Sequence, residues 1–190
     1  MSSDSSSRSP TPRDTVRRPF PEYSYVPGRF PHPTRDPQGH RHGHASPEST
    51  PLAPEHWQNC EMYLRGIDLF NHGFYWESHE AWDAVWISAG RRGSVADFLK
   101  ALIKVAAAGV KAREGREAGV RRHALRCVQL INGIQTSHLK HFCGLNLDVL
   151  KTAASALAGE SCSVTQQASA DVTAHVIPLV IVLSTDDGAT

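Results

Sequence analysis

The stretch LFNHGFYWESHEAWDAVW, residues 69–86, decides the fold that this sequence predicts. A short Asn-His-Gly break at residues 71–73 lies near its start, and asparagine and glycine tolerate the left-handed conformation that ends helices. Apolar residues recur at helical spacing on both sides of the break. We therefore predict a helical hairpin, with helix 1 over residues 55–71 and helix 2 over residues 74–88.

A second hairpin follows the same plan. Residues 95–114, which include the alanine-rich DFLKALIKVAAA, predict a long helix 3, and Gly115 separates it from helix 4 at residues 116–134. A fifth helix is predicted over residues 136–157.

The break around Gly73 resembles a tetratricopeptide (TPR) turn, but two units fall short of the three or more that a solenoid needs. The sequence therefore predicts an all-α, compact bundle of about five helices, built from two TPR-like helical hairpins and preceded by an extended arm.

The distribution of proline divides the chain into three parts. Residues 1–54 hold eleven of the twelve prolines, and such a composition predicts a largely disordered N-terminal arm. Within this arm, the aromatic residues and histidines of residues 23–44 favour a strap that docks on the folded part. The helical domain is predicted over residues 55–157. In the C-terminal tail, residues 158–190, an apolar run interrupted by Pro178 favours either an edge strand or an extended segment packed on the helices.

The overall charge and the cysteines exclude some classes of protein. With 20 basic and 19 acidic residues the formal net charge is +1, which gives no reason to expect a membrane surface or nucleic acid as partner. The basic patch of Arg121, Arg122 and Arg126 is small. No stretch approaches the roughly 18–20 apolar residues that span a bilayer, and the N-terminus lacks the apolar run of a secretory signal. Because the four cysteines form no Cys-x-x-Cys pair, we expect a cytoplasmic protein.

The stretch at residues 69–86, followed by DFLKALIKVAAA at residues 97–108, resembles the DUF309 family, small all-α proteins of unknown function. The resemblance covers about residues 23–135. It includes YVPGRFPHPTRDPQGH, residues 25–40, which is similar to an extension of the type YVPGxxPHPxxDPxGH carried by some members. The family often has glutamine where this chain has two lysines of helix 3. The resemblance implies a fold but no activity.

Acidic side chains and a histidine share part of helix 2. A rotation of about 100° per residue places Glu77, Glu80 and Asp83 on neighbouring ridges. These carboxylates form the solvated face of an amphipathic helix, bind a hard divalent cation, or supply a general base. His79 precedes Asp83 by one turn, and a His-Asp pair at this spacing fits a transition-metal site or a proton carrier. The His-Glu-x-x-His motif of zinc proteases is not formed, because position 83 is aspartate.

Basic side chains predict a second feature on the following helices. Lys100, Lys104 and Lys111 of helix 3 align within about 40° of one another. They form either a solvated face or a cationic wall that meets the acids or an anion. His123 on helix 4 completes a polar cluster with them if its face turns inward.

The arm offers further ligands for a metal. If the strap folds over helix 2, His32 or His40 would join His79 and Asp83 in a metal site that neither segment forms alone, since neutral imidazole is a common transition-metal ligand.

Two hypotheses for function remain after these observations. The first is a small binding or interaction module whose tryptophan-rich groove takes a protein or small-molecule partner. The second is a metal-dependent or acid/base enzyme that uses the cluster on helix 2, with a divalent metal as a candidate cofactor. Both hypotheses share one candidate pocket, formed by Glu77, His79, Glu80, Trp82, Asp83, Trp86, Lys104 and His123.

Overall fold

The computed structural model describes residues 19–45, 48–135, 139–159 and 175–184. The remaining parts of the predicted arm and tail, at residues 1–18, 46–47, 160–174 and 185–190, lie outside the described residues. Helices dominate the described part, which confirms the prediction of an all-α bundle. Five α-helices follow one another: α1, Glu61–Asn71; α2, Tyr75–Ser88; α3, Gly93–Arg113; α4, Glu117–Ile134; and α5, Leu147–Gly159.

Each helix packs on the next, so that α2 lies between α1 and α3. The break between α1 and α2 forms because Gly73 adopts a positive φ of 78°, and the N–H of Phe74 donates to the carbonyl of Leu69 at 2.8 Å. α1 begins later than predicted: Pro54–Asn59 form a 3-10 turn, and the extended conformation of Cys60 separates this turn from the helix. Within the described ranges, no helix combines the length and the apolar character that crossing a bilayer requires.

Aromatic side chains of α2 fill the core on both sides of that helix. Trp82 and Tyr75 are fully buried, and the indole Nε1 of Trp82 donates to the carbonyl of Tyr63 at 3.2 Å. Two glycines make room for these rings. A Cβ at Gly109 of α3 would lie 2.5 Å from Cγ of Tyr75, and a Cβ at Gly66 of α1 would overlap the Trp82 indole. The absence of these Cβ atoms therefore sets how closely α1 and α3 approach α2.

The fifth helix differs from the prediction. It begins at Leu147, because a short antiparallel hairpin precedes it, with β1 at His141–Phe142 and β2 at Leu145–Asn146. Residues 136–138, the predicted start of this helix, lie outside the described residues. Gly144 takes a positive φ of 75° in the turn, where a Cβ would lie 2.6 Å from the Trp57 ring. The side chain of Asn146 then accepts from the N–H of Asp148 at 3.0 Å, which fixes the start of α5.

The C-terminal residues 175–184 run as an extended segment over α1 and α2. Ile177, Leu179 and Ile181 are buried in alternation with exposed residues. The Asn71 side chain donates to the carbonyl of Ile181 at 2.7 Å and accepts from its N–H at 2.8 Å. Of the two predicted alternatives, the extended segment packed on the helices is therefore the one that the structure has.

Replacing Gly66 by alanine tests the close approach of α1 and α2. We expect Gly66→Ala to lower the free energy of unfolding by about 1–3 kcal/mol, because a Cβ forces the Trp82 indole out of its packed position. Urea denaturation followed by tryptophan fluorescence measures the change. Gly133→Ala is the matched control: it lies in helix α4 with open space around it, so we expect no loss and up to about 1 kcal/mol of gain. Equal losses in the two variants would contradict this account.

Candidate functional site

Glu77 lies in the first turn of α2 and is buried, with 6% of its surface exposed. Its carboxylate Oε1 accepts from the backbone N–H of Tyr25 at 2.8 Å, and its Oε2 is 3.4 Å from the Ser24 hydroxyl. Nε2 of His40 lies 3.4 Å from Oε1. Because a buried carboxylate needs hydrogen-bond donors, Glu77 depends on these three residues of the strap, residues 23–44. The positive end of the α2 dipole further favours its negative charge.

Ser24 connects the strap to both helical hairpins. Its side chain is fully buried, and its hydroxyl lies 3.1 Å from the carbonyl of Gly73, in the turn between α1 and α2. A guanidinium N–H of Arg113, near the end of α3, donates to the same hydroxyl at 2.5 Å. This guanidinium also lies over the Tyr75 ring, with its Cζ 4.8 Å from the ring centroid. The strap therefore rests on α2, on the turn before it and on α3.

Aromatic contacts extend this docking along α2. Tyr25 and His32 both meet Trp76 edge-on, with ring centroids 5.3 and 5.5 Å from the indole. Within the strap, Tyr23 stacks on Phe30 at 5.2 Å. Edge-on and offset aromatic pairs of this kind each add a favourable contribution beyond their buried area. Trp76 is thus the aromatic surface that the strap covers.

The structure does not assemble the metal ligands that the sequence suggests. His40 contacts Glu77 and His32 packs on the Trp76 ring, whereas His79 has its Nδ1 3.5 Å from Oε1 of Glu80. Among the described residues, no group of three or more His, Cys, Asp or Glu side chains is arranged to hold a metal ion. The donor set of His32, His40, His79 and Asp83 therefore has no geometric support.

Two members of the candidate pocket lie elsewhere than predicted. Trp82 is fully buried in the core, so it lines no ligand site. Glu77 is covered by the strap, and it therefore does not belong to a solvated acidic face with Glu80 and Asp83, which are half-buried. The helical wheel placed these residues correctly around α2 but carried no information about what covers each ridge.

The remaining candidates are Trp86, Lys104 and His123. Trp86 is half-buried, and its ring is contacted by Nζ of Lys100 at 5.3 Å and by the guanidinium of Arg91 at 5.4 Å. Lys104 of α3 and His123 of α4 are both half-buried, and the positive charge of Lys104 contributes to lowering the pKa of His123. The polar cluster of the α3 lysines with His123 stays a prediction.

Positive charges influence the pKa values of both Lys104 and His123. Burial lowers the pKa of His123 from 6.5 to about 4, and four cationic groups add to this, the strongest being Lys104. Burial likewise lowers the pKa of the Lys104 ammonium, with further repulsion from neighbouring cations. In the part of the chain that the structure describes, Lys104 makes no ion pair with an acid.

Three residues of this region were not singled out as site residues from the sequence, although two of them lie in the predicted strap. Ser24 and Tyr25 lie about fifty positions before Glu77, and Arg113 comes near the end of a helix whose apolar pattern assigns it no role. The sequence nevertheless holds one local signal: Ser24 lies between two tyrosines, and packing of the tyrosine rings on a helix would bury the serine between them.

The low pKa of His123 makes stability depend on pH. In the unfolded chain His123 takes up a proton near pH 6.5, whereas in the folded chain it does so only near pH 4. The stabilisation that neutral His123 gives to the folded state is therefore lost as the pH falls through this window. Solvent reaches half of the ring and screens part of the effect. Between about pH 7.5 and 4.5 we expect the wild-type Tm to fall by roughly 3 °C more than that of His123→Gln, measured by circular dichroism. Parallel curves for the two proteins would contradict this assignment.

Comparison with known proteins agrees with this description of the helical part. A search of curated proteins finds no match to this chain. A family model does match: residues 63–123, from the middle of α1 into α4, fit the model described as "Domain of unknown function (DUF309)". Over these residues, which include α2, α3 and His123, the match supports the resemblance to DUF309 inferred from the sequence.

Proposed function

We propose that this protein is a small helical interaction module whose α2 face binds an extended, aromatic and proline-containing segment. In this structure the strap is the bound segment, and an equivalent segment of a partner protein takes its place when the strap is released. The observation that carries the proposal is the hydrogen bond from the Tyr25 backbone N–H to the buried carboxylate of Glu77. A contact to the main chain accepts any extended segment, so the side chains beside it set the specificity.

The contacts of the strap indicate which segment the face prefers. The position before the bound N–H is filled by Ser24, which is fully buried and leaves no space for a larger side chain. Tyr25 lies against Trp76, and Val26 is buried with 2% of its surface exposed. Pro27 follows and begins a turn, in which Gly28 has a positive φ of 79° and the N–H of Arg29 donates to the carbonyl of Val26 at 3.0 Å. We therefore expect a partner segment of the pattern Ser, aromatic, Val, Pro.

Competition with the strap sets the conditions for such a partner. A segment tethered to its own site acts at a high effective concentration, in the millimolar range for short linkers. A partner segment must therefore bind more tightly than the strap, or act where the strap has been weakened. We further propose that the strap corresponds to the extension of some DUF309 members, and that the two TPR-like hairpins serve as its platform.

A cytoplasmic location belongs to the same proposal. Cys60, Cys127 and Cys143 are buried free thiols, and burial raises the pKa of both Cys127 and Cys143 to about 12. Such thiols are unreactive packing residues, which suits a protein that stays in a reducing compartment.

Glu77→Gln tests the carboxylate at the centre of the site. Glutamine keeps the shape and one acceptor oxygen but loses the charge, so the hydrogen bond from Tyr25 weakens by about 1–2 kcal/mol. We expect amide hydrogen exchange at Tyr25 and its neighbours to accelerate by roughly tenfold, measured by mass spectrometry on strap peptides. Glu80→Gln is the matched control, because it removes the same charge from the same helix without touching the strap. Equal acceleration in both variants would refute the role of Glu77.

Release of the strap tests the binding function itself. A specific protease site is inserted between Ala45 and Glu48, which are both exposed, and the full-length protein is cut there. We expect the cut strap to remain bound, and a fluorescent peptide of residues 23–44 to exchange with it in a polarisation assay. The control peptide carries N-methyl Tyr25, which keeps the side chain and removes the N–H that Glu77 accepts.

The two peptides separate recognition from nonspecific adsorption. We expect the N-methyl peptide to bind at least tenfold more weakly, since it leaves the buried carboxylate without its donor. If both peptides bind equally, or if the cut strap dissociates and neither peptide binds while the helices remain folded, the proposal fails.

A further inference from the structure

We infer that the recognition face carries a second subsite, on α1 and the turn to α2, for an aromatic side chain four positions before the buried serine. In this structure Phe20 occupies it. We call it the Phe20 subsite, and its side chains are Arg65, Asp68, His72 and Phe74. The inference rests on the proposed interaction function, because it names a further requirement for the partner segment. It uses none of the side chains that hold the strap.

The ring of Phe20 contacts two aromatic groups and one cation. It stacks on Phe74 with ring centroids 5.2 Å apart and an interplanar angle of 3°, and its centroid lies 4.6 Å from that of the His72 ring. The guanidinium of Arg65 lies over it, with Cζ 5.0 Å from the ring centroid. Phe20 also packs on a small buried apolar cluster that is separate from the main core: Leu69, Phe74 and Ala81. Stacking and cation–π contacts favour an aromatic side chain over an aliphatic one.

Arg65 also binds the main chain at this subsite. Its Nη2 donates to the carbonyl of Pro19, the residue before Phe20, at 2.5 Å. The Arg65 side chain has only 8% of its surface exposed, and its Nη1 lies 3.3 Å from Oδ2 of Asp68, whose side chain is 2% exposed. Because the Asp68 carboxylate holds the guanidinium, its face is kept over the ring and one N–H is kept at the carbonyl. A single side chain thus recognises an aromatic residue and the peptide group that precedes it.

Asp68 positions the histidine of the subsite as well. Nδ1 of His72 donates to the backbone carbonyl of Asp68 at 2.8 Å and lies 3.4 Å from Oδ1 of its carboxylate. Since a carbonyl only accepts, this contact assigns a proton to Nδ1 and fixes the ring that Phe20 meets. The side chains of the Phe20 subsite are therefore held by contacts that do not involve the arm. A binding site that is ordered in this way loses less entropy when a segment binds.

The buried ion pair adds directional recognition to the subsite. Taking Arg65 and Asp68 out of water costs free energy that an apolar pair would not cost. What the pair adds is a donor aimed at a main-chain carbonyl and a cation over an aromatic ring. A purely apolar surface would accept any large hydrophobic side chain, whereas this arrangement selects by geometry as well.

The spacing of the two subsites defines the partner segment further. Both meet the turn between α1 and α2: the Ser24 hydroxyl lies 3.1 Å from the Gly73 carbonyl, and Phe20 stacks on the next residue, Phe74. Four residues of extended chain span at most about 14 Å, so a partner must keep the same spacing. Glu22, between the two anchors, is exposed. The partner segment therefore has an aromatic residue, three intervening residues, and then Ser, aromatic, Val, Pro.

Peptide exchange on the cut full-length protein tests the Phe20 subsite. Two fluorescent peptides with acetylated N-termini are compared by polarisation: residues 19–44, which include Pro19 and Phe20, and residues 23–44, which lack them. We expect the longer peptide to bind at least tenfold more tightly, because it adds the aromatic ring and the hydrogen bond from Arg65. All substitutions are made in the peptide, so the protein is the same in every measurement.

Variants of the longer peptide separate aromatic recognition from general apolar contact. Phe20→Ala should weaken binding at least tenfold. Phe20→Leu keeps an apolar side chain but loses the stacking and the cation–π contact, so we expect a loss of about threefold. Glu22→Ala is the matched control, because it changes an exposed residue between the two anchors, and we expect no change in affinity.

The outcomes distinguish this inference from the proposed function. Equal affinities of the 19–44 and 23–44 peptides would overturn the Phe20 subsite and leave the proposed function intact. If neither peptide exchanges with the strap while the helices remain folded, the proposed function fails and the subsite fails with it. Equal binding of the Phe20→Leu and unchanged peptides would overturn the selectivity for an aromatic side chain, as would equal losses for Phe20→Ala and Glu22→Ala.

Discussion

The contact of α2 with two glycines is the constraint on which the rest of the structure depends. Gly66 of α1 receives the Trp82 indole and Gly109 of α3 receives the Tyr75 ring, so α2 is held from both sides at close range. The orientation of α2 about its axis is thereby fixed, because neither ring fits in another position. The polar side chains of α2 consequently have defined surroundings: the Glu77 carboxylate accepts from the strap, and Nδ1 of His79 lies 3.5 Å from Oε1 of Glu80.

The two edges of α2 lie in environments of opposite charge. On one edge, a buried negative charge is fully provided with donors from the strap. Next to the other edge, half-buried Lys104 of α3 makes no ion pair within the described residues, whereas Lys111 pairs with Glu114 at 2.7 Å. A chain with a formal net charge of +1 therefore carries strong local fields that its overall composition conceals.

Local sequence signals were sufficient to predict the helices. The features that were not predicted depend on contacts between residues far apart in the sequence, or on an unusual backbone conformation. Glycine breaks and apolar spacing gave α2, α3 and α4 to within two residues, since their causes lie within a few positions of each other. The burial of Glu77 depends on residues about fifty positions away in the sequence. A helical wheel contains no such information, and it therefore allowed Glu77 to lie on a solvated face. The start of α5 was missed because Cys143 and Gly144 turn with positive φ, which a run of apolar residues does not reveal. Lys104 and His123 lie on the regular helices α3 and α4, and their meeting in one polar cluster stays a prediction.

The turn between α1 and α2 joins both ends of the described chain. Ser24 bonds to the carbonyl of Gly73, and the side chain of Asn71, two residues earlier, holds the backbone of Ile181. The strap and residues 175–184 therefore both depend on the closed turn for part of their hydrogen bonding. A fluctuation that opens the turn consequently removes hydrogen bonds from both segments at once, which couples the stability of the strap to that of residues 175–184.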